Sequence, residues 1–195
     1  MNEMYKDQLA KALAKYAAVP EDELLKFGAI AQPVALKKNQ YFIRAGEKTP
    51  WFGFVLSGVF RCYHIGQNGA EYTKHFFMEN DFMTANSRSL IDNEFVQKES
   101  DYYFEALEDA NVLSIEQHEK QRLTHVCWQT VFSKEIERVH SIEERRIRQL
   151  MLDDAEARYY DFLRDFPGLD KRIKQTYIAS YVGISPVSLS RIKNR

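Results

Sequence analysis

Cysteine is scarce in this chain: of 195 residues only Cys62 and Cys127 are cysteines. They lie far apart and form no C-x-x-C, which argues against a disulfide framework or a cysteine-ligated cluster and fits a reducing, cytoplasmic compartment. Glycine and proline are few as well, eight and five. No G-x-G-x-x-G, G-x-x-x-x-G-K-[ST] or G-x-S-x-G occurs, so the common dinucleotide, P-loop and serine-hydrolase signatures are missing. The five histidines, His64, His75, His118, His125 and His140, make no H-E-x-x-H and no pair four apart, so no metal site is expected. Long apolar runs are also lacking. Nothing approaches the roughly 18 residues that span a bilayer, and the N-terminal MNEMYKDQLAKALAKYAAV carries charge through its apolar positions, unlike a signal peptide. The expectation is a cytoplasmic protein without membrane contact that is not an enzyme.

What is present is the composition of a folded protein, 45% hydrophobic and 13% aromatic, enough to bury a sizeable core. The formal charge of −1 conceals a segregation. From residue 171 to the end, Lys171, Arg172, Lys174, Arg191, Lys193 and Arg195 face no acid at all, whereas residues 151–170 hold six acids and two bases. A basic tip on an acidic body is the electrostatic footprint of a phosphate-binding end.

Along the chain, residues 3–30 read as helix, interrupted at Val19-Pro20 and restarted by acids where a helix N-terminus favours them. From Pro33 to Glu116 the pattern is short, aromatic and β-branched. Gln40–Ile43, Trp51–Leu56, Val59–Ile65, Glu71–Met78, Tyr102–Leu107 and Val112–Ile115 read as strands, separated by Ala45-Gly46-Glu47, Ser57-Gly58, Gln67-Asn68-Gly69 and Asp109-Ala110-Asn111 turns. Asn80–Ser100 reads as a loop. Neither Gly nor Pro occurs from Gln117 through Phe166, which predicts a long helix with Phe132, Ile136, Val139, Ile147 and Leu150 on one stripe. Phe132, Ile136 and Val139 are expected to pack against a twin helix. A second helix begins near Asp153-Asp154 and stops at Pro167-Gly168.

Gln175 to Lys193 reads QTYIASYVGISPVSLSRIK. A helix-turn-helix needs a small residue where its helices cross, a glycine in the turn, and apolar residues that lock the pair. Ala179 and Gly183 meet the first two needs. Ile178, Val182, Ile184, Leu189 and Ile192 meet the third. Ser185-Pro186 makes a helix start, with Ser as cap and Pro in the first position. Pro186, Val187, Ser190, Arg191 and Asn194 then face away from the lock, towards a major groove. Arg191 suits bidentate reading of guanine. Ser188 and Ser190 suit phosphate or base contacts, Lys174, Lys193 and Arg195 suit the backbone, and Ser185 joins them in the DNA-binding set.

Taken in order, these features resemble the cyclic-AMP receptor/fumarate-nitrate regulator (Crp/Fnr) family of transcription factors over nearly the whole chain. In the N-terminal half the carriers are Arg44-Ala-Gly-Glu47, Trp51-Phe-Gly-Phe-Val-Leu-Ser-Gly58, Gln67-Asn-Gly69, Asn80-Asp-Phe82 and Phe104-Glu-Ala-Leu-Glu-Asp109. In the C-terminal half they are Ala155-Glu-Ala-Arg-Tyr159, Asp165-Phe-Pro167 and Ile178 through Ile192. The resemblance implies an α+β chain with an antiparallel, cyclic-nucleotide-binding-like β-roll in residues 1–116. A long dimerisation helix over 117–150 and a helix-turn-helix unit over 151–195, ending without the family's β wing, would follow. It further implies a homodimer on double-stranded, palindromic DNA, and contact with RNA polymerase.

Two positions of the family's nucleotide site have no match. The Gly-Glu that holds the ribose is replaced by Met83-Thr-Ala-Asn-Ser87, and the Arg-Ser/Thr-Ala against the cyclic phosphate by Gln97-Lys-Glu-Ser-Asp101. A buried phosphate without a guanidinium partner is unfavourable. Phe82, Thr84, Ala85, Asn86, Arg88, Lys98 and Ser100 therefore form an altered effector pocket, no cofactor is assigned, and cyclic AMP is not expected to bind well. Two other readings stay open: a ligand-sensing module whose C-terminal helices dock a protein, and a barrel enzyme using His64 and His75.

Overall fold

The computed structural model describes residues 3–48, 52–84 and 99–194. It divides into two compact units, Met1–Cys62 with Phe76–Val139, and Tyr63–His75 with His140–Arg195. The first opens with helices α1 (Glu3–Ala14) and α2 (Glu21–Ile30). Strands β1 (Gln32–Leu36), β2 (Tyr41–Ile43), β3 (Phe52–Ser57), β4 (Phe60–Ile65), β5 (Glu71–Phe77), β6 (Phe82–Met83), β7 (Tyr103–Ala106) and β8 (Ala110–Ile115) follow. They form two four-stranded sheets, β1-β8-β3-β6 and β2-β7-β4-β5. The outer part of the β4–β5 hairpin belongs to the second unit.

Period-two alternation in β3 builds two cores from one strand. Phe52, Phe54 and Leu56 pack with α1, α2 and the long helix. Val55, between them, joins Phe60, Cys62, Met83, Phe104 and Val112 in the roll interior, where both sheets contribute. Antiparallel pairing with β8, Phe54 opposite Leu113 and Val55 opposite Val112, extends both layers into the neighbouring strand. At the β3–β4 turn only glycine fits. Gly58 has φ +94°, and a Cβ there would lie 2.5 Å from that of Ala110.

Two strands escape the sequence pattern. β1 contains Pro33, opposite Leu113, and is tolerated because β1 is a sheet edge where the missing N–H breaks no central ladder. β6 is two residues long and falls inside the stretch read as loop; residues 85–98 of that stretch, and Trp51, lie outside the described residues. The long helix also starts later than its composition suggests. Gln117–Arg122 is a separate 3₁₀ turn, Leu123 enters the core, and α3 runs over Val126–Leu152. The Nδ1 of His125 accepts the Cys127 N–H at 3.2 Å, supplying one helix-start acceptor.

The first half of α3 is anchored by its own apolar face. Trp128 stacks on Phe27 and on Phe132, with centroids 5.4 and 5.9 Å apart, and its indole N–H donates to Glu23 at 2.7 Å. Lys26 at 2.5 Å and the Trp128 N–H hold the Glu23 carboxyl below the usual carboxylate range against the effect of burial. Phe132 is only 8% exposed within this core and Ile136 packs against it. The expected seam therefore loses Phe132, because its ring fills space between β3 and Trp128 in the same chain. Val139 remains half-buried.

One turn beyond Phe132 the face turns polar. Glu135 is buried, accepts the Tyr16 hydroxyl, and takes the Arg138 guanidinium in a fork at 2.8 and 2.6 Å. Burial, and after it the Glu135 carboxylate beside it, raise the Tyr16 phenol above its ordinary range. Lys134 donates to the Tyr16 carbonyl at 2.6 Å, closing the end of α1 onto α3.

Removing one member of such a buried pair strands the other. Glu135→Ala is expected to lower unfolding stability by about 3 kcal/mol, whereas Tyr16→Phe, which leaves the Arg138 fork intact, costs about 1 kcal/mol. Urea denaturation followed by tryptophan fluorescence measures both, and equal losses would refute the ranking.

Candidate nucleic-acid interface

In the second unit, α4 (Ala155–Asp165) starts at Asp154, whose side chain accepts the Ala157 N–H at 2.8 Å. A 3₁₀ turn over Leu169–Lys171 leads to α5 (Gln175–Val182) and α6 (Pro186–Lys193). Gly183 stops α5 with φ +78° and ψ +39°, and the N–H groups of Gly183 and Ile184 return to the Ala179 carbonyl at 2.9 and 3.0 Å. This left-handed cap is the geometry glycine makes cheaply. A Cβ there would also approach Leu150 Cδ2 to 3.2 Å. Ser185 then caps α6: its hydroxyl accepts the Ser188 N–H at 3.1 Å and pairs with the Ser188 hydroxyl at 2.9 Å. Pro186 occupies the first helical position.

Ile178, Ala179, Val182 and Leu189 are buried, and Ile184 and Ile192 are half-buried. The residues read as the lock thus sit in one interior. Tyr181 adds to it, its ring 5.8 Å from Phe162 and 5.5 Å from Phe166, with the Arg146 guanidinium 3.7 Å from its centroid. Burial pushes the Tyr181 phenol up and the Arg146 guanidinium down.

Opposite this interior lies a polar and basic face. Ser185, Pro186, Val187, Ser190, Arg191, Lys193 and Asn194 are exposed, and Ser188 is half-buried. Lys171, Arg172 and Lys174 are exposed as well, the Lys174 Nζ lying 5.6 Å from the Tyr177 ring. Among the described residues no carboxylate pairs with Arg191, so its five donors stay available for an external acceptor. Arg195 lies outside the described residues.

Several contacts that hold this unit together were not read from the sequence. Arg158 donates from Nε to the Val182 carbonyl at 2.8 Å and from Nη1 to the Asp153 carbonyl at 2.5 Å, capping the ends of α5 and α3 with one guanidinium. Arg145 pairs with Asp165 at 2.9 Å, and Gln149 donates to Asp161 at 2.5 Å. Arg145 and Gln149 therefore dock α4, while Glu143 pairs with Lys74 at 2.8 Å and Arg146 lies over Tyr181 of α5; the visible signal for the α4 contacts is the pair of acids at Asp161 and Asp165. Ser180 fastens the β4–β5 hairpin to α5, donating to the Glu71 carbonyl at 2.9 Å and accepting the Thr73 N–H at 3.0 Å. Nothing in the sequence announced that pair.

Three of the seven effector-pocket residues are among the described ones. Phe82 is core, 5.0 Å from the Phe54 ring. Ser100 is buried in a turn, its hydroxyl donating to the Tyr102 carbonyl and accepting the Tyr102 N–H. Thr84 and Phe82 both border one small hollow, with Leu13, Val131 and Glu135. Ala85, Asn86, Arg88 and Lys98 lie outside the described residues. His64 stacks on Tyr72 and His75 meets Phe166 edge-on. Among the described residues no three His, Cys, Asp or Glu side chains gather as a metal site, and no helix is long and apolar enough to cross a membrane.

Residues 33–125 match the family model of the cyclic nucleotide-binding domain. No curated protein matches the sequence. Among solved structures, FixK2 from Bradyrhizobium japonicum is similar with a TM-score of 0.70 at 17% identity, over 85% of this chain and 83% of its own. A protein assigned to the Crp/Fnr regulators from Eubacterium rectale gives 0.68 at 17%, over 89% and 82%. The c-di-GMP-responsive global regulator CLP from Xanthomonas campestris gives 0.63 at 15%, over 90% of both chains. At these identities the likeness is one of fold.

Proposed function

We propose that this chain is a cytoplasmic, sequence-specific DNA-binding transcription regulator of the Crp/Fnr type that works as a homodimer. The observation that carries the reading is the exposed face of α6. It presents Arg191 without a carboxylate partner among the described residues, and a cluster of cations with no acid between residues 171 and 195 surrounds it in sequence. A helix held this way by a glycine turn enters the major groove with its N-terminal residues at base edges, while flanking lysines neutralise phosphates. Contact with RNA polymerase follows from the same family resemblance.

Dimerisation is assigned to the far end of α3. Ile147, Leu150 and Met151 stand at i, i+3 and i+4 and are 60, 48 and 76% exposed, an apolar stripe at the spacing a partner helix covers. Two copies place two α6 helices on a palindrome with half-sites about 10 base pairs apart. The effector site of the roll is altered, without the ribose Glu and phosphate Arg of the cyclic-AMP binders. The effector biases α3 packing and through it the spacing of the two reading helices.

Arg191→Ala is expected to cost about 1–3 kcal/mol and to relax selectivity at one base pair, while Lys193→Ala weakens all duplexes alike and lowers the salt slope by about one. Gel shifts on duplexes selected from random DNA read both; no change in either variant would refute the assignment of α6. Leu150→Asp should convert the dimer to monomer in sedimentation, and an unchanged dimer would move the interface elsewhere. Calorimetry should show no micromolar binding of cyclic AMP; tight binding would overturn the altered pocket.

A further inference from the structure

The first turn of α6 narrows the base that it can face. Ser185 and Ser188 spend their hydroxyls on each other and on the helix cap, 2.9 and 3.1 Å. Pro186 has no N–H, and Val187 is 64% exposed beside it. The first outward turn of the reading helix is thus apolar, and polar side chains resume only at Ser190 and Arg191. Val187 and Arg191 stand four apart, on one side of α6, whereas Leu189 is turned to the interior.

The major groove offers one apolar feature to such a surface, the 5-methyl group of thymine. Every other base edge there presents a donor or acceptor, which Val187 would desolvate without replacing its hydrogen bond. Resting on the DNA-binding reading above, we infer that Val187 is a specificity-determining residue that selects thymine through its methyl group. Four residues rise about 6 Å along a helix, and bases step about 3.4 Å. The thymine therefore lies within about two base pairs of the guanine read by Arg191. The cations at Lys171, Arg172, Lys174 and Lys193 supply the sequence-independent attraction that brings this uncharged contact to the groove.

The test uses the full-length chain on its best duplex from random-sequence selection, with each thymine replaced in turn by deoxyuridine, which removes only the methyl group. One position per half-site should weaken binding about four-fold, the equivalent of about 0.8 kcal/mol for one methyl-sized group. Replacing a cytosine there by 5-methylcytosine should be less damaging than cytosine itself. The Val187→Ala protein should bind thymine and deoxyuridine duplexes equally at that position. A scan with no methyl-sensitive thymine, or a sensitivity that persists in Val187→Ala, overturns the assignment while leaving selective DNA binding in place. Failure to retain or select any duplex at low salt overturns the DNA-binding reading and this one with it.

Discussion

A single uninterrupted helix has to satisfy two interiors. α3 is 27 residues long, and the division between the compact units falls at Val139–His140, near its middle. Cys127, Trp128, Val131 and Phe132 give its first half an apolar face that belongs to the roll. Arg145, Arg146 and Gln149 give its second half a polar one, committed to Asp165, Tyr181 and Asp161. Between them, Glu135 and Arg138 mark where burial by hydrophobicity gives way to burial by pairing. Apolar contacts accept many geometries at similar free energy, whereas a forked carboxylate–guanidinium pair accepts few. The fork lies within α3 and holds the Glu135 carboxylate in place; the contacts that cross to the end of α1 are those of Tyr16, whose hydroxyl donates to Glu135 and whose carbonyl accepts from Lys134.

The helix-turn-helix shows the same economy on a smaller scale. Its two helices are eight residues each, too short to be stable by propensity. They persist because their ends are satisfied: Gly183 and Ile184 return to Ala179, Arg158 takes the Val182 carbonyl, and Ser185 caps α6. Four buried apolar side chains then set the crossing. Capping from within leaves the outward side chains of α6 without structural duties, with the exception of the Ser185 and Ser188 hydroxyls.

How much of this was legible depended on whether the signal was local. The strands with alternation, the Gly58 and Gly183 turns and the Ser185-Pro186 start could be read, because each is a conformational demand on adjacent residues. β1 could not, since Pro33 speaks against a strand and only an edge position excuses it. The role of Phe132 could not, because periodicity marks a face as apolar without saying whether the chain or a twin covers it. The pairing of Ser180 with Glu71 and Thr73 spans more than 100 residues, and two of its three hydrogen bonds use backbone groups, which carry no sequence identity. Arg158 sat inside a quoted motif, yet its two carbonyl partners were visible only once α3 and α5 had been placed.

The two halves of the proposed function depend on each other energetically. A helix of eight residues presents only a few side chains to a groove, and each well-made base contact contributes about 1–3 kcal/mol of discrimination. Selecting one site against a genome of competing sequence needs about 4–10 kcal/mol beyond non-specific binding. One copy of α6, with a single guanidinium and an apolar first turn, falls short of that range or barely enters it. Doubling the contacts through a second copy brings the sum inside it without enlarging the reading surface. That requires a self-complementary apolar surface away from α6. Ile147, Leu150 and Met151 supply one on α3, a helix that takes part in both compact units. The exposed stripe on α3 and the sparse face of α6 are, on this argument, one adaptation: a weak reader made selective by being used twice.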